Sequence, residues 1–178
     1  LEFRRVLFRS SSSLANANFA TDGVDVAVRN LAVEPTTEPT LLTEKLVELS
    51  FIPVCSPRLI EDGRLPLTAE ALARLPLIHD DSLFGRAKVP NWADWFMAAG
   101  VEGIDLGRGL HFNSADHALN AASEGAGVLL AHDLLAYDDL RTGRLVIPVD
   151  LRLASGRAYH LVCPKRRSHT DRKSTRLN

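Results

Sequence analysis

Ser114, Asp116 and His117 are the residue types of a hydrolase triad, and His79, Asp80 and Asp81 offer a second acid–base group. Neither set sits in the G-x-S-x-G turn that exposes a serine nucleophile. Ser114, Asp116 and His117 also crowd into one helical turn, where nucleophile, base and orienter cannot line up. A serine just before a helical run is the usual helix cap, its oxygen accepting an N–H of the first turn. That position has chemistry of its own. The first turn presents unpaired N–H groups and the positive end of the helix dipole, which attract a carboxylate or another anion. Asn113, Ser114 and Ala115 are therefore candidate donors to a small anionic ligand.

The other reactive residue types form no pattern that requires chemistry. His79, His111, His117, His132, His160 and His169 make neither an H-x-x-x-H pair nor an H-E-x-x-H helix. Cys55 and Cys163 lie far apart in sequence, outside any C-x-x-C, and read as buried thiols that could lie near each other on adjacent strands. No metal and no cofactor is expected. Glu124-Gly-Ala-Gly-Val128 contains G-x-G. Its order is helix, glycines, strand, the reverse of a dinucleotide fingerprint, and the third glycine is absent. A helix stop followed by tight helix-to-strand packing explains both glycines. Trp92, Trp95 and Phe96 fall on one helical face, which reads as core before it reads as a stacking platform.

The elements that must position these residues belong to an ordinary globular chain. It has 178 residues, 46% hydrophobic, 24% charged and 6% aromatic. No apolar run approaches the roughly 20 residues of a membrane span. With two cysteines and no signal peptide, the expected compartment is the reducing cytosol, so the protein is expected to be cytoplasmic. The net charge of −1 hides an asymmetry: residues 1–13 carry +2, 165–178 carry +5, and 14–164 carry −8. A middle of that sign does not bind nucleic acid by neutralising phosphates. The ends, LEFRRVLFRSSSS and SHTDRKSTRLN, show no sustained period and read as translated adaptor sequence or solvated tails.

Strand and helix signals alternate for most of the length, which predicts an α/β fold with largely parallel pairing. A short helix is expected over 14–22, closed by Gly23, then a strand over 24–29 and a loop over 30–40. A long extended stretch follows over 42–56, with Pro53 at an edge or a bend. One helical turn is expected over 57–62. Thr68 should cap a helix over 69–75, and 77–79 a strand. Asn91 should cap a helix running to Ala99 and stopped by Gly100. The strand 109–112 leads to a helix capped by Asn113 or Ser114 and ending at Glu124. Then come a strand over 128–131, a helix capped by Asp133 to about Leu140, and strands over 145–148 and 159–163.

Two segments echo each other. FIPVCSP (51–57) and YHLVCP (159–164) share the order aromatic, apolar pair, Cys, Pro, and bracket about a hundred residues with their own strand–helix units. A double crossover between two lobes would produce this, and so would two unrelated core strands.

With these blocks in place, the chain resembles the effector-binding domain of LysR-type transcriptional regulators, within the subgroup of the glycine-cleavage activator and the β-lactamase regulator. The resemblance covers about 14–166 and rests on DGVDVAVR (22–29), LVELSFIPVCSPRL (46–59), PLIHDD (76–81) and WADWFMAAG (92–100). FNSADHALNAASEGAGVLLA (112–131), DDLRTGRLVIP (138–148) and YHLVCP complete it. Each block is weakly specific alone; their order and spacing together are strong.

The resemblance implies a type 2 periplasmic-binding-protein-like fold, two Rossmann-like lobes joined by two crossover strands. Lobe I would hold 14–53 plus 159–166 and lobe II 54–158, with 1–13 a non-native leader and 167–178 a non-native or disordered tail. A small effector, amino-acid-like or a carboxylate, would bind without being transformed. Carried over by motif, Ser114 with Asn113, and Tyr159, match effector-contacting positions; Asp25, Arg29, His79 and Asp80, with Asp81 beside them, are weaker matches whose bland alternative is a structural or surface ion pair. DNA would be contacted only through a helix-turn-helix that this chain lacks, and the intact protein would be a homo-oligomer with no membrane contact. The first strand and helix of lobe I and its closing helix are also absent from the resemblance. Lobe I is therefore expected to be incomplete, with exposed apolar edges and reduced stability. Two rivals stand beside this reading: a periplasmic-type solute-binding protein of a transporter, and a small hydrolase using Ser114, His117 or His79.

Overall fold

The computed structural model describes residues 9–13, 15–35, 38–60, 63–83 and 89–165. Most of the expected leader and the whole expected tail lie outside the described residues. The chain forms two compact units, one of Leu1–Val47 with Ala158–Asn178 and one of Glu48–Arg157. Two long strands, β2 (Leu41–Val54) and β6 (Leu153–Pro164), each run from one unit into the other without a break. This is the double crossing that a two-lobed α/β fold requires. The sequence echo is not itself a matched pair: Phe51–Val54 lies in the second unit and Tyr159–Pro164 in the first.

The second unit is built on the strand order β2–β5–β3–β4, with β3 at Leu77–Asp80, β4 at Leu110–Phe112 and β5 at Val128–His132. Strand β3 pairs parallel to both β4 and β5. Strand β2 runs antiparallel to β5, with Phe51 opposite His132 and Pro53 opposite Leu130. The pairing is thus mixed rather than largely parallel, because β2 enters from the other unit and not through a helical crossover. Pro53 stands inside a ladder instead of at an edge.

Side chains alternate across this sheet with the strand period of two. Phe51, Leu77, Val128 and Leu130 pack on one face with Leu72, Trp92, Trp95 and Phe96. Ile52, Val54, Ile78 and Leu129 pack on the other with Ala118, Ala122, Ala136 and Leu145. The first helix, α1 (Ala69–Leu72), is capped by the Thr68 hydroxyl. On the first face lies α2 (Trp92–Ala98), whose aromatic residues are buried as the spacing predicts. On the second face lie α3 (Ala115–Ser123) and α4 (Asp133–Thr142), which present alanines and so approach the strands closely. Gly127 has the predicted packing role: a Cβ there would come within 2.6 Å of the Pro76 carbonyl oxygen.

The first unit has the order β1–β6–β2, with β1 at Ala27–Ala32. Val26, Val28 and Leu46 are 51%, 60% and 51% exposed, the apolar exposure expected of this part. Among the described residues of 14–22, which are 15–22, the expected helix does not form. Instead one turn forms over Asn18–Asp22, where the Asn18 side chain accepts from Ala20 and the Asp22 carboxylate accepts from the Asn18 amide. Short polar side chains that bond the backbone locally favour such turns over helices. Residues 145–148 form no strand, only the isolated bridge Cys55–Val146. His132 is the residue at the cap position of α4, and it shares the Leu134 N–H with the expected Asp133: Asp133 Oδ1 accepts at 2.8 Å and His132 Nδ1 at 3.3 Å.

Candidate functional site

Helices α1, α2 and α3 each begin at a hydroxyl or amide residue, and they use it differently. Thr68 Oγ1 accepts from the Ala71 N–H at 3.2 Å. Asn91 Oδ1 accepts from Ala93 and Asp94, and the Asp94 carboxylate accepts in return from the Asn91 N–H, closing a capping box. Ser114 has the extended backbone of a cap, φ −142° and ψ 125°, yet its hydroxyl accepts nothing from its own helix. Ser114 is half-buried and Asn113 exposed. Asp116 and His117 are exposed on the same first turn.

The ends of β3 and β4 carry the second set. Parallel pairing places His79 opposite His111. Their rings stack at 4.3 Å between centroids, tilted by only 6°. His111 Nδ1 lies 3.0 Å from Asp81 Oδ2, and His79 Nε2 lies 3.3 Å from the Arg108 carbonyl oxygen. Gly109 permits this approach: with φ at +143°, any Cβ would fall 2.4 Å from the Leu77 carbonyl oxygen and 3.1 Å from the His79 ring. Asp80 Oδ1 accepts from the Ser82 N–H. His79, Asp80, Asp81 and His111 line one cavity together with Phe51 and Trp92. His111, Phe51 and Trp92 were not among the sequence candidates. Aligning the ends of the two parallel strands would have found His111, since LIHD and LHF each carry a histidine at the paired position.

Asp25, Arg29 and Tyr159 belong to the first unit. Asp25 is exposed just ahead of β1, and Tyr159 is half-buried on β6. Arg29 donates to the Ala17 carbonyl at 2.8 Å, and its guanidinium carbon lies 5.1 Å from the centre of the Phe19 ring. These contacts tie Ala17, just before the turn, and Phe19, within it, to β1. The Arg29 Nε is buried without a hydrogen-bond partner.

Both cysteines are free thiols. Burial pushes the Cys55 thiol up to about 11, which removes the thiolate needed for nucleophilic chemistry. Among the described residues no group of three or more His, Cys, Asp or Glu could hold a metal ion, and no helix is long and apolar enough to cross a membrane.

Comparison with known proteins places this geometry. The LysR substrate binding domain family matches residues 6–174. The glycine cleavage system transcriptional activator of Escherichia coli (strain K12) is 37% identical over 126 residues, which is 70% of this chain and 39% of that protein. The HTH-type transcriptional regulator PerR of the same organism is 33% identical over 141 residues, 79% of this chain and 43% of that protein. The chain thus spans about two fifths of the length of the curated relatives it matches. The effector binding domain of AmpR from Citrobacter freundii superposes with a TM-score of 0.61 at 20% identity, covering 84% of this chain and 69% of that one. The effector domain of AmpR from Pseudomonas aeruginosa does so at 0.59 and 23%, covering 84% and 66%. These structures establish the type 2 periplasmic-binding-protein-like α/β fold. With that fold and a family match over nearly its whole length, the chain belongs to the LysR substrate-binding domain family.

Proposed function

We propose that this chain is the effector-binding part of a LysR-type transcriptional regulator, with the first unit as its lobe I and the second as its lobe II. A small amino-acid-like or carboxylate effector is held at the start of α3 by Ser114 and Asn113. Asp25, Arg29 and Tyr159 are its proposed contacts in lobe I, carried over from the family resemblance. The effector is sensed and not transformed: binding changes the relation between the lobes and so biases how a homo-oligomer holds its DNA-binding helix-turn-helix domains. The intact regulator works in the cytoplasm.

One observation carries this reading. The Ser114 hydroxyl sits at a helix start and is not spent on its helix, while Thr68 and Asn91 are. A free cap leaves first-turn N–H groups for an anion and adds a hydroxyl donor beside them.

Isothermal titration of the full chain with a panel of amino acids and short carboxylates, glycine, alanine, acetate and pyruvate among them, tests it. Ser114→Ala should weaken any binding found by about ten-fold or more, the loss expected for a hydrogen bond to a charged group, and leave the thermal midpoint unchanged. A Ser114→Ala chain that keeps both its fold and its affinity would remove α3 from the site.

A further inference from the structure

We propose that the cavity between the ends of β3 and β4 and the start of α2 is a second ligand site, contained in the second unit, for a small amine with an apolar body. Its volume is about 400 Å³, within the range of small-molecule pockets. Every described lining residue belongs to the second unit, and neither Asn113 nor Ser114 is among them. His79 and Asp80, weaker motif matches to effector-contacting positions, line this cavity and are assigned to it here; Asn113 and Ser114 stay with the effector.

The apolar wall is already built. Phe51, Trp92 and Leu130 belong to the core and are only 5%, 4% and 7% exposed, yet each lines the cavity. The Trp92 indole is fixed, its Nε1–H donating to the Ile78 carbonyl at 2.9 Å and its ring lying 5.5 Å from that of Phe96. A wall held this way needs no reordering when a ligand arrives.

The polar side is acceptor-rich. Asp80 Oδ1 is occupied by the Ser82 N–H, and Asp81 Oδ2 by His111. The second oxygen of each carboxylate has no hydrogen bond among the described residues. Two carboxylates and no lysine or arginine appear among the described lining residues. An ammonium group fits this set by charge-assisted hydrogen bonds to the aspartates, and an apolar body fits the wall of Phe51, Trp92 and Leu130. A carboxylate ligand would meet like charge. Arg86 and Lys88 follow in sequence and lie outside the described residues, so the experiment includes an acid of the same shape.

The full chain is titrated with phenethylamine and, separately, with phenylacetate. Phenethylamine should bind saturably and quench tryptophan fluorescence, with phenylacetate about ten-fold weaker or worse. Asp81→Asn should weaken the amine by a similar factor. Ala93→Phe, at an exposed cavity-lining position of α2 whose contribution to the cap is only its backbone N–H, should block it by filling space. Ser114→Ala should leave amine binding unchanged, which separates this site from the effector site. The proposal is overturned by any of three results: no saturable binding of phenethylamine, phenylacetate binding as tightly or more tightly, or full amine affinity in either folded variant.

Discussion

At the start of α2, Asn91 takes the Ala93 and Asp94 N–H groups at 2.8 and 3.1 Å while Asp94 answers back; at the start of α3, Ser114 adopts the same extended geometry and takes none. The rest of each helix matches its beginning. Helix α2 buries Trp92, Trp95 and Phe96 in one aromatic group, with centroids between 5.1 and 5.7 Å apart. Helix α3 buries Ala118 and Ala122, small side chains that bring its backbone close to the sheet. One helix start is finished by its own residues and serves stability. The other is left open, and the four N–H groups of an uncapped helix start must find partners outside the helix.

The comparison can be broken most forcefully at the core of α2. Trp95 is fully buried, and its Nε1–H donates to the Leu151 carbonyl at 3.0 Å. Trp95→Ala should cost about 3–5 kcal/mol, read as a fall in the urea midpoint at unchanged slope. A loss below about 1 kcal/mol would mean that α2 is not the anchor described here. Next comes the cap itself: Asn91→Ala should cost about 1 kcal/mol and leave effector binding untouched. Ser114→Ala is the mirror image, changing stability by less than about 0.5 kcal/mol while affecting the ligand. Equal stability losses in the two variants would erase the distinction between the helix starts.

A third helix start sharpens the contrast through pH. At the start of α4 the Leu134 N–H is shared by Asp133 Oδ1 at 2.8 Å and His132 Nδ1 at 3.3 Å, and the ring takes its share only while that nitrogen is unprotonated. Burial holds His132 below its ordinary value of 6.5, with the Asp133 carboxylate opposing. Well above pH 6.5 neither folded nor unfolded chain carries the proton, and nothing is lost. As the pH falls from 6.5 toward the lower folded value, the unfolded chain takes up a proton that the folded chain resists, so stability falls. His132→Asn keeps a capping acceptor and removes the titration. It should flatten the acid-side decline in urea midpoints measured across that interval, and an unchanged slope would assign the decline to other groups.

Much of the second unit was legible before any coordinates. Asn91 followed by Asp94, the aromatic spacing 92–95–96 and the apolar run VLLA each state their structure locally, because capping, helical period and burial act within a few residues. Over 14–22 local reading failed: Asn18 and Asp22 bonded the backbone and replaced a helix with a turn. Residues 145–148 were read as a strand, but only one bridge forms, since a strand needs a partner that sequence alone does not supply. The site was legible in part. His79 and Asp80 were named, while His111 and Trp92 became their neighbours only through the β3–β4 register and the packing of α2.

By itself the sequence determined residue types, the alternation of strands and helices, the family resemblance, and the polar residue at each helix start. Only the tertiary structure decided which polar residue was free. Asn91 and Ser114 are equally able to cap, and the choice depends on where backbone, side chain and neighbouring strands place a single oxygen. The same holds for the cavity, whose aromatic wall and acidic side come from segments far apart in the chain. They meet because parallel pairing fixes one strand end against the next and leaves a space that the α2 side chains do not fill.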